Sequence, residues 1–112
     1  MPVEDDLFDK LRVELRRGAL SLGVLTALRE ERYGYTLRQE LDNAGLPIEE
    51  GALYPLLRRL EAQGLLTSEW REEGRNKRFY RLSADGEQML GQLLAEWNAI
   101  SQSIVRLSER IG

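Results

Sequence analysis

The sequence predicts a mainly α-helical fold that contains one small β-hairpin and ends in a long helix. Apolar residues recur at helical spacing over residues 7–60, and the pattern changes to short alternating strands over residues 65–82. A seven-residue apolar repeat then runs from residue 90 towards the C-terminal end. At 112 residues, with ordinary apolar and charged fractions, the chain has room for one modest hydrophobic core.

Two short helices are expected at the N-terminal end. Leu7, Leu11 and Leu15 recur at every fourth position, which is typical of a short amphipathic helix. Gly18 is expected to end this helix or to mark a join. Helical spacing resumes over residues 20–28, so a second helix is expected there.

A third helix is expected after the sequence YGYT at residues 33–36. The glycine breaks the preceding pattern, and Thr36 can cap the helix that follows. Leu37 and Leu41 then lie on one side of this helix, which ends at Gly45 and Pro47.

A fourth helix is expected to begin near residues 49–50, where acidic side chains suit the positive end of a helix dipole. Pro55 is placed in its first turn, where a missing N–H is tolerated. The outward face carries Tyr54 and Arg58 one turn apart, and Gly64 ends the helix. The opposite face carries four leucines at helical spacing: Leu53, Leu56, Leu57 and Leu60.

The hairpin is predicted from LLTSEWRE and KRFYRL, which are rich in β-branched and aromatic residues, with a turn containing Gly74 and Asn76. Trp70 is expected in the core at the root of this hairpin. Ser83 is expected to cap the last helix, although Gly86 stands where Glu or Gln would complete a capping box.

The last helix has the most regular pattern in the sequence. A helix of about 26 residues spans about 39 Å, more than one small domain is expected to cover. The seven-residue repeat therefore predicts a seam that faces a second copy of the chain, the alternative being a helix packed only on its own domain. The predicted interface residues are Leu90, Leu93, Trp97, Ile100, Ile104 and Leu107.

The formal net charge of −3 is unevenly distributed along the chain. Residues 1–50 carry 7 Lys/Arg and 11 Asp/Glu, residues 51–82 carry 7 and 4, and residues 83–112 carry 2 and 4. The middle segment is therefore basic, and it contains the hairpin sequence REEGRNKRFYRL. A cluster of this kind favours an anionic partner, although an ordinary solvated face has the same composition.

Residue types that the chain lacks exclude several classes of function. It contains no cysteine and no histidine, which removes thiol chemistry, the usual metal ligands and the commonest general base. It also has no glycine-rich phosphate loop, so we expect neither an enzyme nor a metal or cofactor site. The acidic start and the lack of a long apolar run predict a cytoplasmic protein without a membrane partner.

The predicted order of elements, helices followed by a hairpin, is that of a winged helix-turn-helix. In that fold the third core helix enters the DNA major groove and the hairpin, called the wing, reaches the flanking backbone. Residues 1–82 would form this DNA-binding domain with its N-terminal helix, and residues 83–112 the dimerisation helix. The cations expected at DNA are Arg58 and Arg59 on the recognition helix and Arg75, Lys77 and Arg78 in the wing.

Five segments of the sequence, taken together, resemble the PadR family of bacterial transcriptional regulators. They are LRRGALSLGVLTALREERYGYTLRQEL, GALYPLLRRLEAQGLL, SEWRE, KRFYRLSADG and EW near residue 97, and they cover roughly Leu11 to Trp97 in unbroken order. Because only a short region follows the wing, the chain resembles the subgroup with a reduced C-terminal part.

The resemblance implies a homodimeric repressor that binds an inverted-repeat operator in double-stranded DNA and is often released by a small aromatic effector or a stress signal. Where the family commonly has threonine before Leu-Tyr, this chain has Ala52, which removes a hydroxyl able to reach phosphate or base. The residues that the resemblance places at DNA are Tyr35 and Tyr54 near the backbone, Pro55 and Arg58 at or beside the groove, and Arg75, Lys77 and Arg78 in the wing.

Alternatives remain open at this stage. Tyr54 can instead cover the edge of the core, and Arg58 and Arg59 can be ordinary solvated residues. Trp97 can pack against the partner helix or bracket a flat effector by stacking. Winged helices also bind proteins, so an adaptor or antirepressor is the competing function.

Overall fold

The computed structural model describes residues 5–111 as four helices and a small antiparallel sheet. The winged helix-turn-helix order is therefore confirmed. The elements are α1 (Asp5–Ala27), β1 (Arg32–Tyr33), α2 (Gly34–Asn43), α3 (Glu50–Ala62), β2 (Leu66–Glu73), β3 (Arg75–Leu82) and α4 (Ala84–Ile111).

The prediction of two N-terminal helices was wrong, because α1 runs without a break through Gly18. An added Cβ at Gly18 would meet nothing within 4 Å, so the glycine is merely tolerated in an exposed stretch of helix. Gly23 is different, because a Cβ there would lie 2.8 Å from Leu46 Cδ1. The side chains of Leu41 in α2 and Leu46 in the following turn therefore pack directly against this second glycine.

Helices α2 and α3 end as the sequence predicts, at glycines with positive φ. Gly45 has φ +86°, and the next N–H, that of Leu46, donates to the carbonyl of Leu41 at 2.8 Å. Gly64 has φ +80°, and the N–H of Leu65 donates in the same way to the carbonyl of Leu60 at 3.0 Å. These bonds satisfy carbonyls that the helix end leaves free.

The sheet has the strand order β1-β3-β2, with both pairs antiparallel. The two-residue strand β1 was not predicted, since so short a strand has no periodicity of its own. The turn of the wing also differs from expectation: Gly74 alone joins the strands at φ +79°, whereas Asn76 lies in β3 opposite Glu72. We use the name wing for the β2–β3 hairpin, Leu66–Leu82.

One core joins the three helices of the domain to the sheet and to the start of α4. Ser83 caps α4 as predicted, because its Oγ accepts the N–H of Gly86 at 2.9 Å. The missing capping-box residue has a physical reason, since a Cβ at Gly86 would overlap the carbonyl oxygen of Leu65. The fully buried side chains are those of Val24, Leu25, Leu28, Leu37, Leu53 and Leu57.

Candidate nucleic-acid interface

Helix α3 buries its leucines against the core and presents a basic face to solvent. Pro55, Arg58 and Arg59 are exposed on that face. Within residues 5–111 neither arginine forms an ion pair. Ala52 lies exposed near the start of the helix and offers no hydrogen-bonding group. This face therefore carries two cations that are available to an anionic partner.

Pro55 was expected in the first turn of α3 but lies inside the helix, because the helix already begins at Glu50. At this position proline removes the bond that its N–H would have donated to the carbonyl of Gly51. Gly51 is exposed, so water can satisfy that carbonyl. The outward position predicted for Pro55 is confirmed.

Tyr54 is half-buried and is held against the N-terminal end of α2. A Cβ at Gly34 would overlap the Tyr54 hydroxyl, so the glycine is required for this packing rather than for a turn. Thr36 fixes the same end of the helix, since its Oγ1 accepts the N–H of Tyr33 at 3.2 Å. Tyr35, in contrast, is 61% exposed, and its hydroxyl accepts a hydrogen bond from Gln39.

Arg78 does not extend from the wing as an unpartnered cation. Its Nε donates to Ser68 Oγ at 2.9 Å, and its Nη2 lies 3.3 Å from Glu61 Oε1. Ser68 Oγ in turn donates to Glu61 Oε2 at 2.6 Å. The guanidinium therefore ties the wing to the C-terminal part of α3, a role that the sequence pattern of the wing did not indicate.

Tyr80 is buried beside Arg78, whose guanidinium carbon lies 5.8 Å from the centroid of the tyrosine ring. Burial raises the pKa of Tyr80, and the charges of Arg78 and Arg58 act in the opposite direction. Glu61 and Tyr54 act in the same direction as burial and raise the pKa of Tyr80. Arg78, a predicted DNA-binding residue, thus packs over a buried tyrosine.

The expectation that Trp70 lies in the core was wrong, because its side chain is 63% exposed. Trp70 pairs across the strands with Arg78, and the guanidinium carbon lies 5.6 Å from the centroid of the indole ring. The hydrophobicity of tryptophan suggested burial, whereas its strand register places it beyond the part of the wing that α3 covers.

On the other face of the wing, Arg71 and Lys77 are held by contacts with side chains of the same chain. Arg71 donates two hydrogen bonds of 2.6 Å to the carboxylate of Glu31 and also pairs with Glu69. These hydrogen bonds raise the pKa of Arg71 further above its normal value. Lys77 Nζ lies 4.5 Å from the ring centroid of Tyr33. Arg75 is exposed beside Gly74 at the tip and forms no ion pair within the described residues.

The outer half of α4 carries most of the predicted seam as an exposed apolar face. Leu93, Trp97, Ile100, Ile104 and Leu107 are between 38% and 60% exposed. A second apolar face lies on the N-terminal half of α1 and consists of exposed Leu7, Phe8, Leu11 and Leu15, whereas exposed Val13 lies on the other side of the helix.

Leu90 was also predicted at the dimer seam, but it is only 2% exposed and belongs to the core of its own protomer. The seven-residue repeat alone does not separate contacts within a protomer from contacts between protomers. The expected seam therefore begins at Leu93.

Trp97 borders a groove of about 560 Å³ between α1, α2 and α4. Leu94, Leu22 and Leu46 line its apolar part, and Arg32 and Glu40 lie at the same groove. Trp97 is 41% exposed, so one part of the indole packs on the protomer and the rest is free.

Two kinds of feature are absent from the described part of the chain. Within residues 5–111 no helix has the length and hydrophobicity that crossing a membrane requires. Among the same residues, no cluster of acidic side chains is arranged to hold a metal ion.

Comparisons with known proteins agree with this geometry. A model of the transcriptional regulator PadR-like family matches residues 22–92. The transcriptional regulator Rv3488 of Mycobacterium tuberculosis is 44% identical over 79 residues, which are 69% of this chain and 74% of that protein.

Solved structures show the same similarity over almost the whole chain. A PadR family transcriptional regulator from Eggerthella lenta is 43% identical, with a TM-score of 0.86 over 92% of this chain and 93% of that one. A PadR-like transcription factor from Bacteroides fragilis is 34% identical, with a TM-score of 0.74 over 88% and 98%. The chain, with its winged helix, basic α3 face and long α4, therefore belongs to the PadR-like family of transcriptional regulators.

Proposed function

We propose that this protein is a homodimeric repressor that binds an inverted-repeat operator sequence-specifically. The observation that carries the proposal is the outward face of α3, where Arg58 and Arg59 are exposed and form no ion pair within the described residues. An arginine that enters the major groove can donate two hydrogen bonds to the O6 and N7 of guanine. Unpaired arginines on a recognition helix suit this role better than arginines held by carboxylates.

The wing supplies phosphate contacts in this proposal. Arg75 lies at the exposed tip, and Lys77 lies over the Tyr33 ring on the face where Glu31 and Glu69 hold Arg71. Arg75 is therefore the strongest candidate for a phosphate contact, and Lys77 the second. Both are expected to contribute affinity without sequence preference.

Dimerisation supplies the two-fold symmetry of the operator. In α4 the exposed apolar side chains begin where the part of the helix that packs in the core ends. Helix α1 packs on α4, and the exposed apolar side chains of α1 lie in its N-terminal half. Exposed apolar faces of this extent mark association surfaces in soluble proteins. Two recognition helices related by a two-fold axis would reach major grooves about 34 Å apart.

The groove beside Trp97 is the proposed effector site. A flat aromatic molecule can stack on the exposed part of the indole while its edge contacts Leu94 and Leu22. Such a ligand would release DNA only if it bound the DNA-incompetent arrangement of the dimer more tightly. Packing of Trp97 against the partner helix is the competing role for the same residue.

One observation favours the competing protein-interaction function. The tip of the wing is mixed in charge, because Glu72 and Glu73 are exposed beside Arg75. A protein-binding winged helix would also be expected to have an apolar patch on the outward face of α3. That face instead carries the exposed Arg58 and Arg59, which favour DNA as the partner.

The test is a titration of labelled DNA from immediately upstream of the coding sequence, against a scrambled duplex, at several salt concentrations. We expect tighter binding to the upstream DNA and a steep loss of affinity with salt, because phosphate contacts release counterions. Arg58→Ala should change sequence preference, whereas Arg75→Ala should weaken both duplexes similarly and lower the salt slope by about 1. Wild-type binding that ignores both sequence and salt would overturn the proposal.

A further inference from the structure

The ion pair between Glu31 and Arg71 joins two segments that lie 40 residues apart in the chain. Arg71 is in β2 of the wing, and Glu31 directly precedes β1. Both terminal nitrogens of the guanidinium donate to the carboxylate, so the pair is bidentate. Arg71 also pairs with Glu69, and its guanidinium carbon lies 4.6 Å from the ring centroid of Phe79. The roles described above do not explain why an arginine of the wing is held by so many partners.

Two ion pairs hold the wing, one on each of its faces. Arg71 and Arg78 belong to neighbouring cross-strand pairs, since Arg71 lies opposite Lys77 in the register, and their side chains therefore point to opposite faces. On one face Arg78 lies 3.3 Å from Glu61 of α3. On the other face Arg71 is tied to Glu31. The middle of the wing is thus braced by α3 on one side and by the segment before β1 on the other.

Beyond these two ion pairs the wing continues without further support. Residues 72–76, which we call the overhang, are all exposed, and none of them forms an ion pair within the described part of the chain. Its turn at Gly74 lies three residues beyond Arg71, a distance of about 10 Å at the rise of a β-strand. A tilt of about 10° at the base of the overhang would therefore move Arg75 by roughly 2 Å, which is enough to break a hydrogen bond.

The charges around Arg71 do not by themselves favour DNA. Glu31 and Glu69 carry two negative charges and Arg71 carries one positive charge, so the three groups sum to −1. Charge alone would predict that removal of Glu31 strengthens the attraction to an anionic backbone. A positioning role predicts the opposite, because the overhang would lose its direction. The sign of the effect therefore separates the two explanations.

We propose that Glu31 is a positioning residue for operator binding. Its ion pair with Arg71 sets the angle of the wing relative to α3, so that Arg75 and the exposed arginines of α3 reach the same stretch of DNA. The inference rests on the proposed DNA-binding function. Neither Glu31 nor Arg71 contacts DNA in this proposal, and each acts through the direction of the overhang.

The first test compares wild type, Glu31→Ala and the matched control Glu72→Ala in titrations of operator DNA at several salt concentrations. Each variant removes one carboxylate, but Glu72 lies in the overhang and forms no ion pair within the described residues. Glu31→Ala should weaken binding about three- to tenfold, as expected for the loss of one contact. Its salt slope should fall by up to about 1, because a phosphate contact is lost. Glu72→Ala should bind at least as tightly as the wild type.

A double-mutant cycle tests whether Glu31 acts through the tip of the wing. Arg75→Ala removes the proposed phosphate contact from the wild type. In the Glu31→Ala background that contact is already lost, so Arg75→Ala should weaken binding by less than about twofold. Arg71→Lys keeps the charge of the wing but lacks the planar fork that binds a carboxylate through two bonds, so it should change affinity in the same direction as Glu31→Ala.

The fold of each variant is checked separately. Circular dichroism and sedimentation should show that all variants keep the fold and the oligomeric state of the wild type at the temperature of the titrations. If Glu31→Ala loses either one, Arg71→Lys takes its place in the comparison and in the cycle.

The negative outcomes are distinguishable. Wild-type protein that binds no duplex at any salt concentration would overturn the proposed function itself. If the wild type binds the operator, three results would overturn only the positioning role. Glu31→Ala could bind as tightly as Glu72→Ala, or Arg75→Ala could cost the same affinity in both backgrounds. The third result is an Arg75→Ala that costs nothing in the wild type, because the tip would then make no contact to be positioned.

Discussion

At the scale of single residues, glycines decide how closely the elements of the DNA-binding domain approach one another. The hydroxyl of Tyr54 occupies the space that a side chain at Gly34 would fill. The position of Tyr54, which is predicted to lie near the DNA backbone, therefore depends on the glycine in α2. Gly34→Ala should lower the free energy of unfolding by about 1–3 kcal/mol through overpacking. In a Tyr54→Phe background the cost should be smaller, because the closest atom is gone. Denaturant unfolding of wild type, the two single variants and the double variant measures the coupling between Gly34 and Tyr54. If Gly34→Ala costs the same free energy of unfolding in both backgrounds, the glycine is needed for the backbone conformation of α2 and not for packing against Tyr54.

The sequence identified many of the residues at this surface but not their contacts. Exposed Pro55, Arg58 and Arg59 follow from helical spacing, because buried leucines on one face fix which side chains point outwards. The engagement of Arg78 does not follow from spacing, since its partner Glu61 lies 17 residues away on another element. Long-range pairs of this kind depend on tertiary packing, which a periodic pattern does not encode.

At the scale of elements, the error at Gly18 shows that a glycine is a weak signal for a helix end. The reliable ends, at Gly45 and Gly64, combine a glycine with positive φ and hydrogen bonds to the last carbonyls. Gly18 has neither feature, so Gly18→Ala should raise the free energy of unfolding by up to about 1 kcal/mol. The matched control is Gly74→Ala, which should be destabilising because φ is +79° at the tip of the wing. Both are measured by denaturant unfolding at one protein concentration, and a destabilised Gly18→Ala would indicate a join in α1 after all.

At the scale of the whole molecule, the exposed apolar faces of α1 and α4 require a second surface to cover them. A heptad pattern predicted this for α4, whereas the face of α1 became evident only when the structure left its N-terminal half uncovered. The pattern wrongly assigned Leu90 to the seam, because the first part of α4 packs on its own domain. The division between the domain core and the exposed apolar face thus lies within one helix, where composition does not change.

The proposed dimer face of α4 can be tested by placing charge within it. Ile100→Glu with Ile104→Glu would bury uncompensated carboxylates at a cost of several kcal/mol, so the dimer should dissociate. The matched control is Gln102→Glu, which adds the same kind of charge on the opposite side of α4. Sedimentation velocity over a range of concentrations should give monomer for the double variant and dimer for the control. Operator affinity should fall when the dimer is lost, because a monomer binds one half-site at a time without the gain from linking two recognition helices. A double variant that remains dimeric would place the interface on the α1 face, since α1 carries the other exposed apolar stripe.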